Sequence, residues 1–526
     1  MSVIAKNPIM RGFYPDPSIC AVGEDFYLVT SSFAYFPGLP IMHSRDLAHW
    51  EQIGNVLDRV SQLPLTNAGL SQGLYAPTIR YHEGTFYVIC TNVSFGGNFV
   101  VTATNPAGPW SEPHYIKNAA GIDPSLFFDD DGKVYYVGMR DNPEGLRFYG
   151  DTCVWVQELD IENWVLVGEP VYVWDGVLKD IAWVEAPHLY KKDGWYYLMY
   201  AEGGTGEHHC EVVCRSKNVF GPYENNFCNP IITHRHLGKE YPIQYVGHAD
   251  LVETINKEWY MVMLAVRPFE GYTRMGRETF LAKVTWENDW PVVNAGVGRL
   301  TDEVEINLAA DIPKQITPGC SLYPEVNGKD AITYDFMDME QIPAEFLFLR
   351  NPSSDMYQLK KGSGLVLNAN TGTMKDTSNT AYVAVRQMHQ SFLLETLLQA
   401  ENLTEGMTWG LVLMQNNNYQ LRAEVKEGIL HIVLCENGID TILGSHNLLS
   451  ATETVALYIK VDGLKAEAGL VSEGNRIPIV KEICIKSFSI EVAQGFVGCT
   501  MGIYASLKDD SNKGAVYVKY LTYEGL

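Results

Sequence analysis

Short stretches of alternating apolar and polar residues, separated by turn residues, fill residues 1–305 of the chain. A motif recurs five times there: each copy begins an apolar stretch and reaches an aromatic pair roughly a dozen residues later. The copies start at Asp16-Pro17-Ser18, Ala76-Pro77-Thr78, Asp123-Pro124-Ser125, Ala186-Pro187-His188 and Ala249-Asp250-Leu251. The aromatic pairs are Phe26-Tyr27, Phe86-Tyr87, Tyr135-Tyr136, Tyr196-Tyr197 and Trp259-Tyr260. Successive hairpin units of this kind predict the blades of a five-bladed β-propeller.

The pattern changes after a segment at residues 306–325, which contains three prolines and no clear period and is our candidate linker. Residues 326–526 lack the repeat, but Tyr419–Cys435, Val455–Gly463 and Ala515–Leu521 alternate in part, as half-buried antiparallel strands do. Glu427-Gly428 and Asp462-Gly463 are candidate hairpin turns. The sequence therefore predicts an all-β protein, with a propeller at residues 1–305 followed by a β-sandwich of jelly-roll or concanavalin-like type.

Composition narrows the class of partner. A chain of 526 residues is too long for a single ordinary domain, so at least two domains are expected. The formal net charge of −24 argues against nucleic acid and against an anionic membrane surface as partners. A neutral ligand fits this charge better. The N-terminus shows no signal peptide, no apolar run is long enough to span a bilayer, and the ten cysteines are scattered as in reduced proteins. These features predict a cytoplasmic protein.

One cluster of histidine and cysteine residues is a candidate metal site. His208, His209, Cys210 and Cys214 lie close together in sequence, but no second pair has the spacing of a zinc site. We favour a strand with outward-facing histidines and buried cysteines.

Three copies of the motif have a carboxylate at corresponding positions: Asp16, Asp123 and Glu185. A propeller brings such positions together around its axis, so we expect the three acids in one pocket. A protonated and an ionised carboxyl group facing each other can cleave a glycosidic bond, and a third raises the pKa of the acid. A single Asp-Pro-Ser is a common start of a turn and needs no functional explanation. Two copies at corresponding positions, together with Glu185 in an apolar stretch of a third repeat, favour a catalytic site.

Other candidate site residues lie near the motif starts. Aromatic side chains there can stack on sugar rings: Tyr14, Phe33, Tyr35, Phe36, Tyr75 and Trp183. Arg277 can pair with a catalytic carboxylate or donate to sugar hydroxyls, although an ordinary ion pair explains it equally well. His248 begins the fifth copy, and a core histidine is as good an explanation as a ligand.

The combined motifs resemble glycoside hydrolase family 43 across essentially the whole chain. The closest likeness is to its β-xylosidase and α-L-arabinofuranosidase members with an added C-terminal β-sandwich. The motifs are Gly12-Phe13-Tyr14-Pro15-Asp16-Pro17-Ser18-Ile19, Gly121-Ile122-Asp123-Pro124-Ser125, Trp183-Val184-Glu185-Ala186-Pro187-His188 and Gly276-Arg277-Glu278-Thr279.

The resemblance implies an inverting hydrolase and a role for each matching residue. By motif, Asp16 is similar to the general base, Glu185 to the general acid, and Asp123 to the residue that tunes and orients the acid. Substrate-binding roles are implied for Phe33, Tyr75, Thr205, His248 and Arg277. In some members the central histidine helps to hold a calcium ion, which implies a candidate calcium site at His248; no cofactor is required for the reaction.

Two departures from the xylosidase pattern bear on specificity. Tyr75 stands where xylosidase-type members usually have tryptophan, and Phe33-Ala34-Tyr35-Phe36 replaces a Phe-Glu-Trp-Phe type of segment. Both resemble the arabinofuranosidase-leaning branch, whose members often cleave both sugars. We therefore expect an exo-acting α-L-arabinofuranosidase with β-D-xylosidase activity on arabinoxylan- and xylan-derived oligosaccharides. Relatives of this kind are often dimers or tetramers.

Four alternatives stay open at this point. The first is a predominantly β-1,4-xylosidase activity, and the second an endo-arabinanase with an open groove. Retaining fructan hydrolases share the five-bladed fold, but their Asn-Asp-Pro-Asn opening is replaced here by Pro15-Asp16-Pro17-Ser18. The last is a non-catalytic carbohydrate-binding propeller, which has no need of three central acids.

Overall fold

The structure is a computed structural model that describes residues 2–307, 325–326, 329–448, 454–509, 511 and 513–526. The predicted linker at residues 306–325 falls mostly outside these described residues, as does Cys320. Within them the protein is almost entirely β-structure, as predicted: the helical elements are two short 3-10 turns, Val60–Gln62 and Lys486–Phe488, and one four-residue α-helix, α1 (Ile490–Ala493).

The N-terminal part is a five-bladed β-propeller, which confirms the fold expected from the repeats. Each blade is a four-stranded antiparallel sheet made from one continuous stretch of chain. The strands are β1 (Ser2–Lys6), then β2 (Ser18–Val22), β3 (Asp25–Val29), β4 (Tyr35–Phe36), β5 (Gly38–Ser44) and β6 (Glu51–Leu57); β7 (Thr78–His82), β8 (Thr85–Asn92), β9 (Gly97–Ala103) and β10 (His114–Tyr115); β11 (Ile122–Phe128), β12 (Val134–Asp141), β13 (Thr152–Asp160) and β14 (Val165–Trp174); β15 (Glu185–Lys192), β16 (Trp195–Glu202), β17 (Cys210–Ser216) and β18 (Glu224–Asn225); β19 (Gln244–Glu253), β20 (Trp259–Val266), β21 (Glu278–Glu287) and β22 (Trp290–Val293); and β23 (Glu303–Asn307).

The predicted turns join the first two strands of the blades. Between β7 and β8, Glu83 and Gly84 both have positive φ, at 47° and 85°, as a two-residue type I′ turn requires. Asp193 and Gly194 do the same in the fourth blade, at 50° and 73°. The first strands of neighbouring blades contact one another around the central axis. The start of each motif copy is therefore placed at the axis.

The ring is closed by a short sheet outside the blades. Strand β1 pairs antiparallel with β23, so the beginning of the chain meets the strand that follows the fifth blade. The Asn7 side chain strengthens this closure: its amide donates to the carbonyl oxygens of Leu281 and Thr301 at 2.8 and 2.9 Å. Its carbonyl oxygen accepts the Leu281 N–H at 2.8 Å.

The C-terminal part is a β-sandwich, also as predicted. One sheet has the order β24-β25-β39-β30-β35-β36-β37, with β28 and β27 attached beside β39; the other has the order β34-β33-β32-β31-β38-β29-β26-β4. The strands are β24 (Glu325–Val326), β25 (Lys329–Asp335), β26 (Leu347–Leu349), β27 (Tyr357–Lys360), β28 (Gly364–Asn368), β29 (Ala381–Arg386), β30 (Phe392–Glu401), β31 (Thr408–Asn416), β32 (Tyr419–Lys426), β33 (Ile429–Glu436), β34 (Ile439–Asn447), β35 (Thr454–Asp462), β36 (Lys465–Ser472), β37 (Asn475–Cys484), β38 (Thr500–Ser506) and β39 (Ala515–Gly525).

The two candidate sandwich turns lie close to where they were predicted. Glu427 and Gly428 join β32 to β33 with positive φ values of 50° and 75°. Strand β35 ends at Asp462 and β36 begins at Lys465, so the second turn consists of Gly463 and Leu464, one residue later than predicted.

The two domains share a sheet, which the sequence did not indicate. Strand β4, from the first blade, pairs with β26 and so becomes the edge of a sandwich sheet. Behind it, the Tyr35 hydroxyl lies 3.2 Å from the Thr500 hydroxyl. Arg386 of the sandwich donates from Nε to the carbonyl oxygen of Phe13 at 2.7 Å, only three residues before Asp16. The sandwich therefore contacts the segment that leads to the first acid.

Two further observations concern the predicted cellular setting. The nine cysteines of the described residues are free thiols, seven of them buried. Among the same residues, no helix has the length and apolar character that crossing a bilayer requires.

Candidate active site

The three acids lie where the first strands of their blades begin. Asp16 precedes β2, Asp123 is the second residue of β11, and Glu185 opens β15. All three line one cavity at this end of the propeller axis. The remaining cavity residues come from the first strands of the blades and the segments just before them, from the loops that join the second and third strands of the blades, and, for Phe496, from the sandwich. The repeat register thus placed the acids together, as predicted.

The backbone at these strand starts is unusual. Asp16, Asp123, Ala186 and His248 all have positive φ, between 50° and 54°. Residues with a Cβ avoid this region because of steric strain of roughly 1–3 kcal/mol each. The pairing register also shifts in β11, β15 and β19 at these points, as it does at β-bulges. A bulge redirects a side chain out of the regular alternation, and such shifts lie at Asp123 and Glu185.

Asp16 is held by three neighbours inside the protein. Its side chain is only 5% exposed, and Arg277 Nη1 donates to its Oδ1 at 2.5 Å. The Ser31 hydroxyl donates to the other oxygen, also at 2.5 Å. His248 Nδ1 lies 3.7 Å from Oδ1. These contacts fix the direction of the carboxylate, and they assign a partner to two predicted residues, Arg277 and His248.

Asp123 is buried and Glu185 is half-buried, and the protons of both acids are harder to remove than usual. Burial raises the pKa of Glu185 well above its ordinary value, and the charges of Asp123 and Asp16 raise it further, against the opposing effect of Arg277. Burial, and then the charge of Asp16, raise the pKa of Asp123 to about 7. The backbone N–H of Ala186, the neighbour of Glu185, donates to Asp123 and so links the two acids. These effects favour the protonated form of Glu185.

An aromatic wall lies beside the acids. Phe33 and Tyr75 approach each other with ring centroids 5.4 Å apart. Phe496, from the sandwich domain, stacks on Phe33 at 6.0 Å and meets Tyr75 edge-on at 6.0 Å. The guanidinium of Arg277 lies 5.7 Å from the Phe33 ring centre and 5.5 Å from that of Phe496. Two apolar faces and a cation thus border the space that the acids surround.

Phe496 is the main site residue that the sequence analysis did not name. It lies in the loop between α1 and β38, which is fastened to the loop before Arg277 by two backbone bonds: Ile490 N–H to Thr273 O at 3.0 Å and Cys499 N–H to Arg274 O at 2.8 Å. The Phe496 N–H also donates to the Ser71 hydroxyl at 2.9 Å.

Close backbone packing keeps that loop against the propeller. A Cβ at Gly498 would lie 2.3 Å from the carbonyl oxygen of Met275, so this position requires glycine. The resemblance to family members with an added C-terminal β-sandwich was the one signal for a contact of this kind.

Thr205 supplies an unused polar group to the cavity. It lies in the loop between β16 and β17, and within the described part of the chain its buried hydroxyl has no hydrogen-bond partner. A buried hydroxyl without a partner costs roughly 1–3 kcal/mol. A bound sugar hydroxyl can satisfy it, which supports the substrate-binding role predicted for Thr205.

His248 does not have the surroundings that calcium prefers. Calcium takes six to eight oxygen ligands, whereas the carboxylate nearest to His248, Asp16, is already paired with Arg277. Two residues farther on, Asp250 pairs with the Arg80 guanidinium at 2.8 Å. In the described residues, no group of three or more His, Cys, Asp or Glu side chains could hold a metal ion. Burial lowers the pKa of His248, so its imidazole is neutral at neutral pH.

The structure corrects two details of the sequence analysis. His209 does not face outward: it is 1% exposed, and its Nδ1 donates to the carbonyl oxygen of Tyr245 at 2.8 Å. The strand β17 begins only at Cys210, so His209 lies in the preceding loop and packs against Gly247.

The second correction concerns the aromatic residues. Of the six that were candidates for stacking on sugar, two line the cavity, namely Phe33 and Tyr75. Tyr14 is buried under Arg386, whose guanidinium lies 4.3 Å from its ring centre. Tyr35 and Phe36 form the strand shared with the sandwich. The eight predicted site residues, by contrast, all line the one cavity: Asp16, Phe33, Tyr75, Asp123, Glu185, Thr205, His248 and Arg277.

Known proteins with similar sequences are glycosidases, in agreement with this arrangement of acids. The family profile "Glycosyl hydrolases family 43" matches residues 5–291, and the profile "Beta xylosidase C-terminal Concanavalin A-like domain" matches residues 333–524. A "Xylosidase/arabinosidase" of Butyrivibrio fibrisolvens is 48% identical over 99% of each chain. A non-reducing-end alpha-L-arabinofuranosidase of Bacteroides ovatus is 37% identical over 96% of this chain and 92% of its own.

A solved structure has the same fold over nearly the whole chain. The crystal structure of a xylan beta-1,4-xylosidase from Bacillus halodurans is 33% identical, superposes with a TM-score of 0.88, and covers 99% of this chain and 100% of its own.

Proposed function

The chain belongs to family 43 of the glycosyl hydrolases, and on that premise we propose that it is an exo-acting, inverting glycosidase. It releases terminal α-L-arabinofuranosyl residues, and also β-D-xylosyl residues, from short neutral oligosaccharides derived from arabinoxylan and xylan. The observation that carries this proposal is the convergence of Asp16, Asp123 and Glu185 in one cavity that the sandwich residue Phe496 borders.

In the proposed reaction, Glu185 is the general acid. Its raised pKa favours the protonated carboxyl group, whose proton is transferred to the glycosidic oxygen as the bond to the anomeric carbon breaks. The electron pair of that bond stays on the leaving oxygen, so proton donation is what makes the leaving group neutral. Asp123 raises the pKa of Glu185 and, through the Ala186 N–H, holds the start of β15 in place.

Asp16 is the general base on the other side of the sugar. It accepts a proton from a water molecule, whose oxygen attacks the anomeric carbon from the face opposite to the leaving group. Arg277 and Ser31 bind its two carboxylate oxygens and thereby fix its orientation. A water that attacks from the opposite face gives a product of inverted configuration.

The exo-acting mode follows from what borders the cavity. Phe496 and the loop that carries it lie against Phe33 and Tyr75, so the sandwich covers part of the propeller face. A long chain threading through would need an open groove there. A single terminal sugar can instead stack on the aromatic wall while Thr205 and Arg277 donate to its hydroxyls.

Dual specificity rests on the shared shape of the two sugars. An α-L-arabinofuranoside and a β-D-xyloside present similar atoms around the anomeric carbon, so one pocket can accept both. Tyr75 provides a narrower wall than the tryptophan usual in xylosidase-type members. The named relatives include an arabinofuranosidase, a xylosidase and a "Xylosidase/arabinosidase", which is consistent with a pocket of this dual type.

The first test is a comparison of initial rates on an aryl α-L-arabinofuranoside and an aryl β-D-xyloside with one enzyme preparation. We expect cleavage of both, with the arabinofuranoside faster. A clearly faster xyloside would make the protein predominantly a β-1,4-xylosidase. Cleavage of neither, together with internal cleavage of linear arabinan, would favour an endo-arabinanase instead.

Two further measurements test the chemistry. Glu185→Gln should lower kcat by about 100- to 10,000-fold on an oligosaccharide while binding is retained, and Glu207→Gln, an exposed change in the neighbouring loop, should have no effect. Proton NMR of the first-formed product should show the β-anomer from an α-arabinofuranoside. A first product of retained configuration would overturn the inverting mechanism. Unchanged turnover in Glu185→Gln would exclude Glu185 as the general acid, and wild-type protein that binds the sugars without turnover would be a binding protein.

A further inference from the structure

An aromatic pair lies on the rim of the propeller between its third and fourth blades, outside the cavity described above. Tyr149 belongs to the loop between β12 and β13 and is 84% exposed. Trp183, half-buried, lies two residues before Glu185. Their rings meet edge to face, with centroids 5.5 Å apart and an interplanar angle of 88°. An exposed tyrosine fixed against a tryptophan forms a ready platform for a ligand.

The tryptophan is held in place by two glycines. A Cβ at Gly150 would come within 3.0 Å of Trp183 Cε2, and one at Gly204 would come within 2.8 Å of Cδ1. The Trp183 N–H also donates to the Gly150 carbonyl oxygen at 2.8 Å. The indole therefore lies in a slot that exists because both neighbours lack a side chain, and its orientation is fixed before any ligand arrives.

The platform is next to the acid. Gly204, which packs against the indole, is followed by Thr205, and Thr205 lines the catalytic cavity together with Glu185. The loops that carry Tyr149 and Thr205 each join the second and third strands of a blade, so both lie on the propeller face where the acids are. A general acid must touch the oxygen of the leaving group, so the leaving group extends past Glu185.

The local chemistry suits a neutral sugar ring. Beside Tyr149, the cation Arg147 is already paired with Asp151 at 2.8 Å and with Asp175 at 3.1 Å. Within the described residues, no hydrogen bond uses the Tyr149 hydroxyl or the Trp183 indole N–H, which leaves two polar groups at the edges of the platform. Apolar ring faces bordered by donors match a pyranose ring, which has apolar faces and hydroxyl edges.

We propose that Tyr149 and Trp183 form a leaving-group subsite that binds a distal xylopyranosyl ring of the oligosaccharide. This inference rests on the proposed function, because it takes the leaving group to be an oligosaccharide. It makes the enzyme prefer substrates whose leaving group has two or more sugar rings over those whose leaving group is a single ring.

A kinetic test compares two substrates with the same terminal sugar. One is an aryl α-L-arabinofuranoside and the other a xylotriose that bears one α-L-arabinofuranosyl residue. For Tyr149→Ala we expect the ratio of kcat/KM, oligosaccharide over aryl glycoside, to fall roughly three- to tenfold, the range of one aromatic contact. Phe227→Ala, at another exposed aromatic residue, is the matched control and should keep the wild-type ratio. An unchanged ratio in Tyr149→Ala would overturn the proposal.

A binding test separates this inference from the proposed function. The affinity of Glu185→Gln for xylotriose is measured by calorimetry, with and without the additional change Tyr149→Ala. The second change should weaken binding roughly three- to tenfold. Equal affinities would reject the subsite even in an active glycosidase. Wild-type protein that cleaves neither substrate would reject the proposed function, and the xylotriose affinities would still decide about the subsite.

Discussion

The contribution of the sandwich domain to catalysis can be tested by one substitution, Phe496→Ala. The Phe496 ring makes two aromatic contacts, with Phe33 and Tyr75, each at 6.0 Å, and lies 5.5 Å from the Arg277 guanidinium. Such contacts contribute roughly 0.5–1.5 kcal/mol for each aromatic pair and 0.5–1 kcal/mol for the cation. Because the residue is 37% exposed, we take a value in the lower half of the summed range, about 2 kcal/mol.

This free energy corresponds to a roughly 30-fold loss of kcat/KM. Without Phe496, substrate binding must itself fix the positions of the remaining side chains of the aromatic wall. The assay is kcat/KM on the aryl arabinofuranoside and the aryl xyloside, with a thermal melt of each variant. The melting temperature should change little, because the Phe496 N–H still reaches Ser71 and the loop keeps its backbone bonds. Phe227→Ala is again the control.

Two outcomes would refute the reasoning. Wild-type kcat/KM in Phe496→Ala would mean that the sandwich does not help to form the substrate wall. A large fall in melting temperature, with kcat/KM per folded molecule unchanged, would mean that Phe496 only stabilises the contact between the domains.

Three further outcomes are expected. Because Glu185 must carry a proton, kcat/KM should fall as the pH rises through the raised pKa of Glu185. Asp123→Asn removes a charge that raises this pKa and should move the fall in kcat/KM to lower pH; a pH profile in which the fall does not move would contradict the role of Asp123. Tyr75→Trp should raise the ratio of xyloside to arabinofuranoside rates because a larger ring fills the wall, and an unchanged ratio would separate specificity from this position. EDTA should leave the melting temperature and kcat unchanged, because the carboxylate nearest to His248 is paired with Arg277; a lower melting temperature that calcium restores would instead establish a calcium site.

The convergence of the three acids was predictable because the repeat encodes their position. Corresponding residues of propeller blades meet at the axis, so the register that aligns Asp16 with Asp123 and Glu185 also brings them together in space. The positive φ values of Asp16, Asp123 and Ala186 and the register shifts in β11 and β15 were not visible in the sequence. Asp-Pro-Ser gives a turn, but no local pattern states that the chain enters the left-handed region at a residue other than glycine.

Contacts between segments that are far apart in the sequence could not be predicted from the repeat or from the alternation of apolar and polar residues. Phe496 and its partner Ser71 are 425 positions apart, and no periodicity links the sandwich loop to the propeller. Ser31 had a weak signal, since Thr30, Ser31 and Ser32 are polar residues directly after an apolar strand. His209 was misplaced because its neighbours alternate like a strand, whereas the strand starts one residue later.

The long sequence separation between Asp16 and Arg277 has a consequence for how the protein is made. The base leaves the ribosome early, but its ion-pair partner follows 261 residues later, and the loop with Phe496 follows later still. Translation delivers domains from the N-terminus onward, so a nascent chain with four finished blades already has all three carboxylates yet has no Arg277 to orient the base. On the proposed mechanism, we therefore expect hydrolytic activity to arise only near the end of synthesis, and a chain released by premature termination to be inactive.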